Sequence, residues 1–301
     1  MTESNPRLPN LIIIGVHKAG TTSLYTYLAK HPDICPSFKK EIGYFLPLMF
    51  GKELASVEDY SEFFQHCRHQ PFRMEASPSY FYGKENIAAP MRRVVPDARI
   101  ILVLRDPTER LVSFFSRAVS KSTLPADIKF EDYLSISEQY LGSDDYNVYA
   151  RGVREGIYID YIEPWQDKFG EDLMVVFFDD LNESALDFTQ SICSWLGLRT
   201  ECYSSEDFTI ENKTLQYKHG ALHRRVKDLY MKNEAFWRKH HRLKQRLRKV
   251  YNTVNADNSG GLKTIENASV ERLREFYRPH NTRLRQFLES IGQGALPKWL
   301  N

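Results

Sequence analysis

Cysteine is scarce in this chain, and its spacing is uninformative for metal binding. Four cysteines, Cys35, Cys67, Cys193 and Cys202, occur in 301 residues. None forms a CxxC pair, which argues against a zinc site. The count is too low for a disulfide scaffold, and reduced thiols in a cytosolic protein are the expectation. No run reaches the roughly 18 apolar residues that span a bilayer. The start, MTESNPRLPN, lacks the charged-then-apolar pattern of a signal peptide. These absences point to a cytoplasmic protein, with a trimmed luminal domain as the alternative. There is no internal repeat and no low-complexity tract. Net charge is only +2, so the protein as a whole is not a polyanion binder.

What is present is an alternation of short apolar runs with helical patterns. Leu11 to Ile14 is continuous, rich in β-branched residues and bounded by Gly15, as in a strand buried on both faces. The segments 99–107 and 173–178 have the same character, and 71–75 is a shorter candidate. Helices are expected over 21–30, from Pro107 to about Ser120, after the third strand to about Gly197, and over 267–291. Ile157, Tyr161, Trp165 and Phe169 recur every four residues and form one core-facing stripe. Strands alternating with helices predict an α/β fold: a P-loop-like three-layer sandwich, with a central parallel sheet flanked by helices. Residues 1–9 read as a disordered tail, 10–301 as a single domain, and 252–261 as the most linker-like stretch.

The most informative segment is LIIIGVHKAGTTSLYTYL, residues 11–28. Strand, glycine turn and helix start aim backbone N–H groups and the helix dipole at one point, which favours a phosphate. Gly15 and Gly20 have the spacing of the nucleoside-triphosphate loop G-x-x-x-x-G-K-[ST], but Thr21 stands where that loop has its lysine. The lysine is Lys18, inside the turn. Thr21, Thr22 and Ser23 add hydroxyls in the first helical turn. The loop therefore suits a phosphate with a lysine reaching a different bridging oxygen; a plain strand-to-helix turn with a solvated lysine is the bland alternative. Further along, Arg105 ends a buried strand and Ser113 lies eight residues on, so a strand end and a helix start can converge on a second phosphate. A surface ion pair of Arg105 with Asp106 or Glu109 is the bland alternative there.

GVHKAGTTSLYTYL resembles the 5′-phosphosulfate-binding loop of sulfotransferases that use 3′-phosphoadenosine 5′-phosphosulfate (PAPS). KKEIGYF (39–45), EASPSYF (75–81), LRDPTERLVSFF (104–115), REGIYIDYIEPW (154–165) and REFYRPHNTRL (274–284) resemble further segments of that family, in order, and the heparan sulfate N- and O-sulfotransferases are the nearest group. The resemblance implies PAPS as cosubstrate, 3′-phosphoadenosine 5′-phosphate (PAP) as product, and no metal. It implies cofactor contacts from Lys18, Ala19, Gly20, Thr21, Thr22, Ser23, Arg105, Ser113, Tyr158 and Lys263. It implies catalytic roles for Lys18 on the bridging oxygen and for Glu41 as base, with Lys40 beside it and His17 as the competing base. Glu75 is a further candidate base or acceptor contact. Two positions depart from the family pattern: Ala76 stands where the heparan-type segment has lysine, and only Lys263 is charged in NSGGLKT (258–264).

The implied acceptor is a hydroxyl or amine of a carbohydrate or glycoconjugate, with a small metabolite or lipid as the alternative. An ATP-dependent small-molecule kinase and a non-catalytic binding protein are the competing classes. Residues 213–249 carry thirteen of the 41 basic residues and two of the 39 acidic ones, leaving the rest of the chain net negative. Leu222, Val226, Leu229, Phe236, Leu243, Leu247 and Val250 give this segment an apolar helical stripe. A basic amphipathic insertion over 213–250 would meet an anionic acceptor or a membrane surface, or else lie as a solvated face on the acidic body. No nucleic-acid motif accompanies the charge.

Overall fold

The computed structural model describes residues 7–208 and 265–301, together with the backbone of 216–217 and 256–257. The basic segment 213–250, the linker-like stretch 252–261 and Lys263 thus fall almost wholly outside the described residues, as do 1–6. The chain divides into two compact units: 1–110 with 155–211 and 275–301, and 111–154 with 212–274.

The first unit is built on a parallel sheet of five strands among the described residues: β1 (Leu11–Gly15), β2 (Ile34–Pro36), β3 (Phe72–Ala76), β4 (Arg99–Leu104) and β5 (Leu173–Phe177), in the order β2-β3-β1-β4-β5. Leu11 to Ile14 have no exposed surface, as a run with no polar alternation requires. The chain runs from β1 in the middle to one side, through β2 and β3, and then to the other side, through β4 and β5. Loops after β1 and β4 therefore diverge at the carboxyl ends of adjacent strands, the crevice where open α/β sheets bind ligands.

Helices α1 (Thr21–Leu28), α2 (Val57–Ser61), α3 (Glu85–Val94), α4 (Pro107–Ser120), α5 (Phe130–Glu138), α6 (Ile159–Phe169), α7 (Phe178–Glu183), α8 (Ala185–Trp195) and α9 (Asn267–Ser290) follow in chain order. Ile157, Tyr161, Trp165 and Phe169 are all buried, and the Trp165 indole N–H donates to the Phe81 carbonyl at 3.0 Å. The helix expected after the third strand is two: Ser184 caps α8 through the Asp187 amide and separates it from α7. β2 escaped the sequence reading because it is three residues long and ends in proline.

Residues 7–9, expected in the tail, are held in place. The Arg7 amide donates to Ser61 Oγ at 3.0 Å, Asn10 Oδ1 accepts from the Arg73 amide at 2.7 Å, and Pro9 is buried. The thiol expectation also fails for one pair. Cys35 and Cys67 form a disulfide, with Cα atoms 5.8 Å apart, joining the edge strand β2 to the turn after α2. Sequence spacing was blind to this pair because a tertiary fold, not a motif, sets the two residues side by side. Cys193 and Cys202 remain thiols.

In the second unit, Ser137 of α5 bonds the Tyr149 carbonyl at 2.8 Å and accepts from the Val153 amide at 2.8 Å. Arg272 pairs with both Glu131 and Glu138. Gln216–Tyr217 and Ala256–Asp257 form a short antiparallel ladder. Ser113 belongs to this unit.

Candidate active site

The turn between β1 and α1 is held in a shape few side chains adopt. Lys18 has φ +72° and Gly20 has φ +77°, both left-handed. Gly20 has a second constraint: a Cβ there would lie 2.6 Å from Leu181 Cδ2 and 2.9 Å from Phe178 Cδ2. Glycine alone fits both the backbone angle and the close approach of α7. No side chain caps α1, so the amides of Thr21, Thr22 and Ser23 are the orphan donors of a helix start. Left-handed and right-handed residues in succession make a concave nest of N–H groups, and the helix dipole adds positive potential.

Arg105 lies against this turn. Its Nη1 donates to the Lys18 carbonyl at 3.0 Å, its guanidinium stacks 4.4 Å over the Phe178 ring, and its Nη2 pairs with Glu109 Oε2 at 2.9 Å. The surface pair with Glu109, the bland alternative, is therefore present, but it is one of three restraints, and the Arg105 side chain is only 19% exposed. Tyr158, expected as a cofactor contact, is buried, and its hydroxyl donates to the Arg105 carbonyl at 2.9 Å. Its influence passes through the backbone of Arg105. Asp106 caps α4 by accepting from the Thr108 amide at 2.8 Å, with Pro107 at the first helical position. Burial raises the Asp106 pKa against the pull of those amides.

His17 is fixed by groups no motif named. Its Nε2 lies 2.8 Å from Ser79 Oγ, and its ring stacks parallel to Tyr82 at 5.9 Å. Both partners come from the polar and aromatic run after β3. Glu41 sits on the segment after β2 with φ +60°, and its amide donates to the Ala76 carbonyl at 3.0 Å. Its side chain is 61% exposed and its carboxylate is paired with Lys40 Nζ at 3.1 Å. The amide's hydrogen bond thus sets Glu41, with Lys40 beside it, against Ala76 at the end of β3.

Glu75 does not fit the role expected of it. It has no exposed surface, and its carboxylate accepts from Tyr60, Tyr80 and Ser77. A group closed off by three hydroxyls can meet no acceptor, so it is not a base. Among the described residues, the ligand atoms of Cys35, His66 and Cys67 are close enough together to hold a metal, but the two sulfurs are already bonded to each other.

The sequence profile of the sulfotransferase domain family matches residues 8–282. The chain belongs to that family. Mouse bifunctional heparan sulfate N-deacetylase/N-sulfotransferase 4 is 27% identical over 306 residues, covering 97% of this chain and 31% of the relative. Mouse heparan sulfate glucosamine 3-O-sulfotransferase 3A1 is 31% identical over 170 residues, covering 55% of this chain and 39% of the relative. The chain thus spans about a third of the length of these curated relatives. A sulfotransferase from Alicyclobacillus acidocaldarius shares the fold at TM-score 0.66 and 22% identity, covering 97% of this chain and 99% of that one. In this sulfotransferase-family chain the Lys18 turn and Arg105 meet at the sheet's carboxyl edge, with His17 on the same turn. Lys40 and Glu41 follow the neighbouring strand pair. Among the described residues no helix is long and apolar enough to cross a membrane.

Proposed function

We propose that this chain transfers a sulfuryl group from PAPS to a hydroxyl or amine of a carbohydrate acceptor. The observation that carries this is the turn after β1. Two left-handed residues, an uncapped helix start and the Arg105 guanidinium converge on it, while the position of a triphosphate-binding lysine holds Thr21. In this reading the amides of Ala19 to Ser23 and the hydroxyls of Thr21, Thr22 and Ser23 hold the 5′-phosphate. Lys18 stabilises charge on the departing phosphate oxygen. Arg105 binds the 3′-phosphate, and Ser113 and Lys263 are further donors. Glu41 takes the acceptor's proton, with Lys40 holding its carboxylate in place. Its exposure leaves it open to an incoming acceptor, whereas His17 is already engaged with Ser79 and Tyr82. In such a transfer the protein contributes mainly position and charge.

A carbohydrate acceptor is supported by relatives named for heparan sulfate, one matching 97% of this chain and one, named for its glucosamine, matching 55%. The basic segment 213–250 would meet an anionic acceptor or lipid surface. The Cys35–Cys67 disulfide favours an oxidising compartment over the cytosol.

The test is thermal stabilisation by PAP against ATP with Mg²⁺. At about a hundredfold over its dissociation constant a ligand adds roughly 2.7 kcal/mol. A shift with PAP in chelator, lost in Arg105→Ala, supports the proposal. A shift with ATP and Mg²⁺ alone replaces it with a kinase. Transfer is then assayed on N-deacetylated heparosan, which offers both amines and hydroxyls.

A further inference from the structure

Glu75 is a fully buried carboxylate in a chain of relays that ends on the loop carrying Glu41. Its Oε1 accepts from Ser77 Oγ and from Tyr80 Oη, each at 2.7 Å, and its Oε2 accepts from Tyr60. Each relay on Oε1 continues outward. Ser77 Oγ accepts the Gly43 amide at 3.1 Å, and Tyr80 Oη accepts the Phe45 amide at 3.4 Å. Between these residues Tyr44 stacks on Tyr60 at 4.0 Å, nearly parallel. On the other side of Gly43, the Glu41 amide bonds the Ala76 carbonyl, one residue along from Glu75. The loop is thus tied at Glu41, Gly43, Tyr44 and Phe45 to one short stretch of β3 and its neighbours.

The chemistry of the carboxylate gives these ties a direction. An ionised carboxylate only accepts, so it draws the protons of Ser77 and Tyr80 toward itself and leaves their lone pairs facing the loop amides. A hydroxyl with its proton turned the other way would present a donor to a donor. Such chains polarise one another and are costly to leave half-satisfied. Glu41 itself adopts φ +60°. That conformation is disfavoured for a residue with a Cβ and persists only where its surroundings hold it.

We propose that Glu75 is the positioning residue for the acceptor-side loop: through Ser77 and Tyr80 it fixes residues 41–45, and so the carboxylate of Glu41, without touching substrate. This rests on Glu41 acting at the reacting centre, as proposed above. Arg105 is held by the Lys18 carbonyl, the Phe178 ring and Glu109 instead, so the two halves of the site are tested separately.

The experiment is residue-level amide hydrogen exchange on the full chain, with PAP affinity and kinetics alongside. Glu75→Gln keeps the shape but removes the charge that fixes the direction of both relays and puts a donor among three hydroxyls that each need an acceptor. Ser77→Ala removes one relay and Tyr80→Phe the other. The expected pattern is specific. Ser77→Ala speeds exchange at Gly43, Tyr80→Phe speeds it at Phe45, and Glu75→Gln speeds both, each by about fivefold for one lost hydrogen bond. The PAP dissociation constant stays within about twofold of wild type, because only the acceptor side moves. On N-deacetylated heparosan, Glu75→Gln lowers kcat by roughly tenfold to a hundredfold while the KM for PAPS holds. Unchanged protection at Gly43 and Phe45 in Glu75→Gln overturns the proposal. So does a loss of protection spread evenly over the sheet, which would make Glu75 a general stabiliser. Failure of the wild type to bind PAP would instead sink the functional reading and leave the exchange result standing. Small variants such as Ser77→Ala keep the test open if Glu75→Gln does not fold.

Discussion

The Cys35–Cys67 disulfide closes a segment of 32 residues that carries Lys40, Glu41 and the whole of α2. Cross-linking removes chain entropy from the unfolded state, and for a loop of this length the loss is worth roughly 3.7 kcal/mol at 25 °C. Unfolding entropy of about 2.1 cal/mol/K per residue, over 301 residues, converts this to a fall in Tm of about 6 °C. The perturbation is the double variant Cys35→Ser/Cys67→Ser, which leaves no odd thiol, beside wild type with and without a phosphine reductant. Wild type in reductant and the double variant should melt together, below oxidised wild type, and reductant should not move the double variant. Alkylation of the denatured, unreduced wild type should label Cys193 and Cys202 alone, since those are the thiols. Four labelled cysteines, or melting within about 1 °C for all samples, would refute the cross-link and with it the preference for an oxidising compartment.

Three further outcomes are expected. Lys18→Ala should lower turnover roughly a hundredfold to a thousandfold, the cost of removing one preorganised charge-stabilising group, and initial rates with saturating PAPS measure it. Gly20→Ala adds a Cβ 2.6 Å from Leu181 at a left-handed position, so urea unfolding should show a loss of about 2–4 kcal/mol, accompanied by weaker PAP binding. Burial raises the Glu75 pKa above its ordinary 4.5, against the hydrogen bonds of Tyr60, Tyr80, Ser77 and the Gly43 amide, in a setting that also includes Tyr25 and Tyr44. A raised folded-state pKa means the folded chain holds that proton more tightly, so its contribution is full below pH 4.5 and is lost as pH rises through the folded value. Glu75→Gln has no such titration. Wild-type stability relative to Glu75→Gln should therefore decline from pH 4.5 toward pH 7.5 in urea melts, and a rise over that range contradicts the assignment.

Much of the fold, and the turn on which the proposed site is built, were legible in the residues. The continuous β-branched runs at Leu11 to Ile14 and 99–104 required a sheet covered on both faces, since no polar alternation leaves a solvated side. Gly15, Lys18 and Gly20 announced a tight strand-to-helix turn because glycine spacing is a local property. Asp106-Pro107 announced a helix start for the same reason. What local pattern could not supply was partnership. Glu75 looked available for catalysis, yet Tyr60, fifteen residues earlier, and Tyr80 enclose it. Arg105 offered two readings, and the Lys18 carbonyl and the Phe178 ring, brought in by α7, set its place against the turn. Cys35 and Cys67 looked like two ordinary thiols until β2 and α2 brought them together. By itself the sequence determined the sheet, the helix starts and the tight turn after β1, because dihedral preference and hydrophobic period act over a few neighbouring residues. Only the tertiary structure decided which carboxylate is buried and which exposed, since desolvation and hydrogen bonding depend on atoms that chain order keeps far apart.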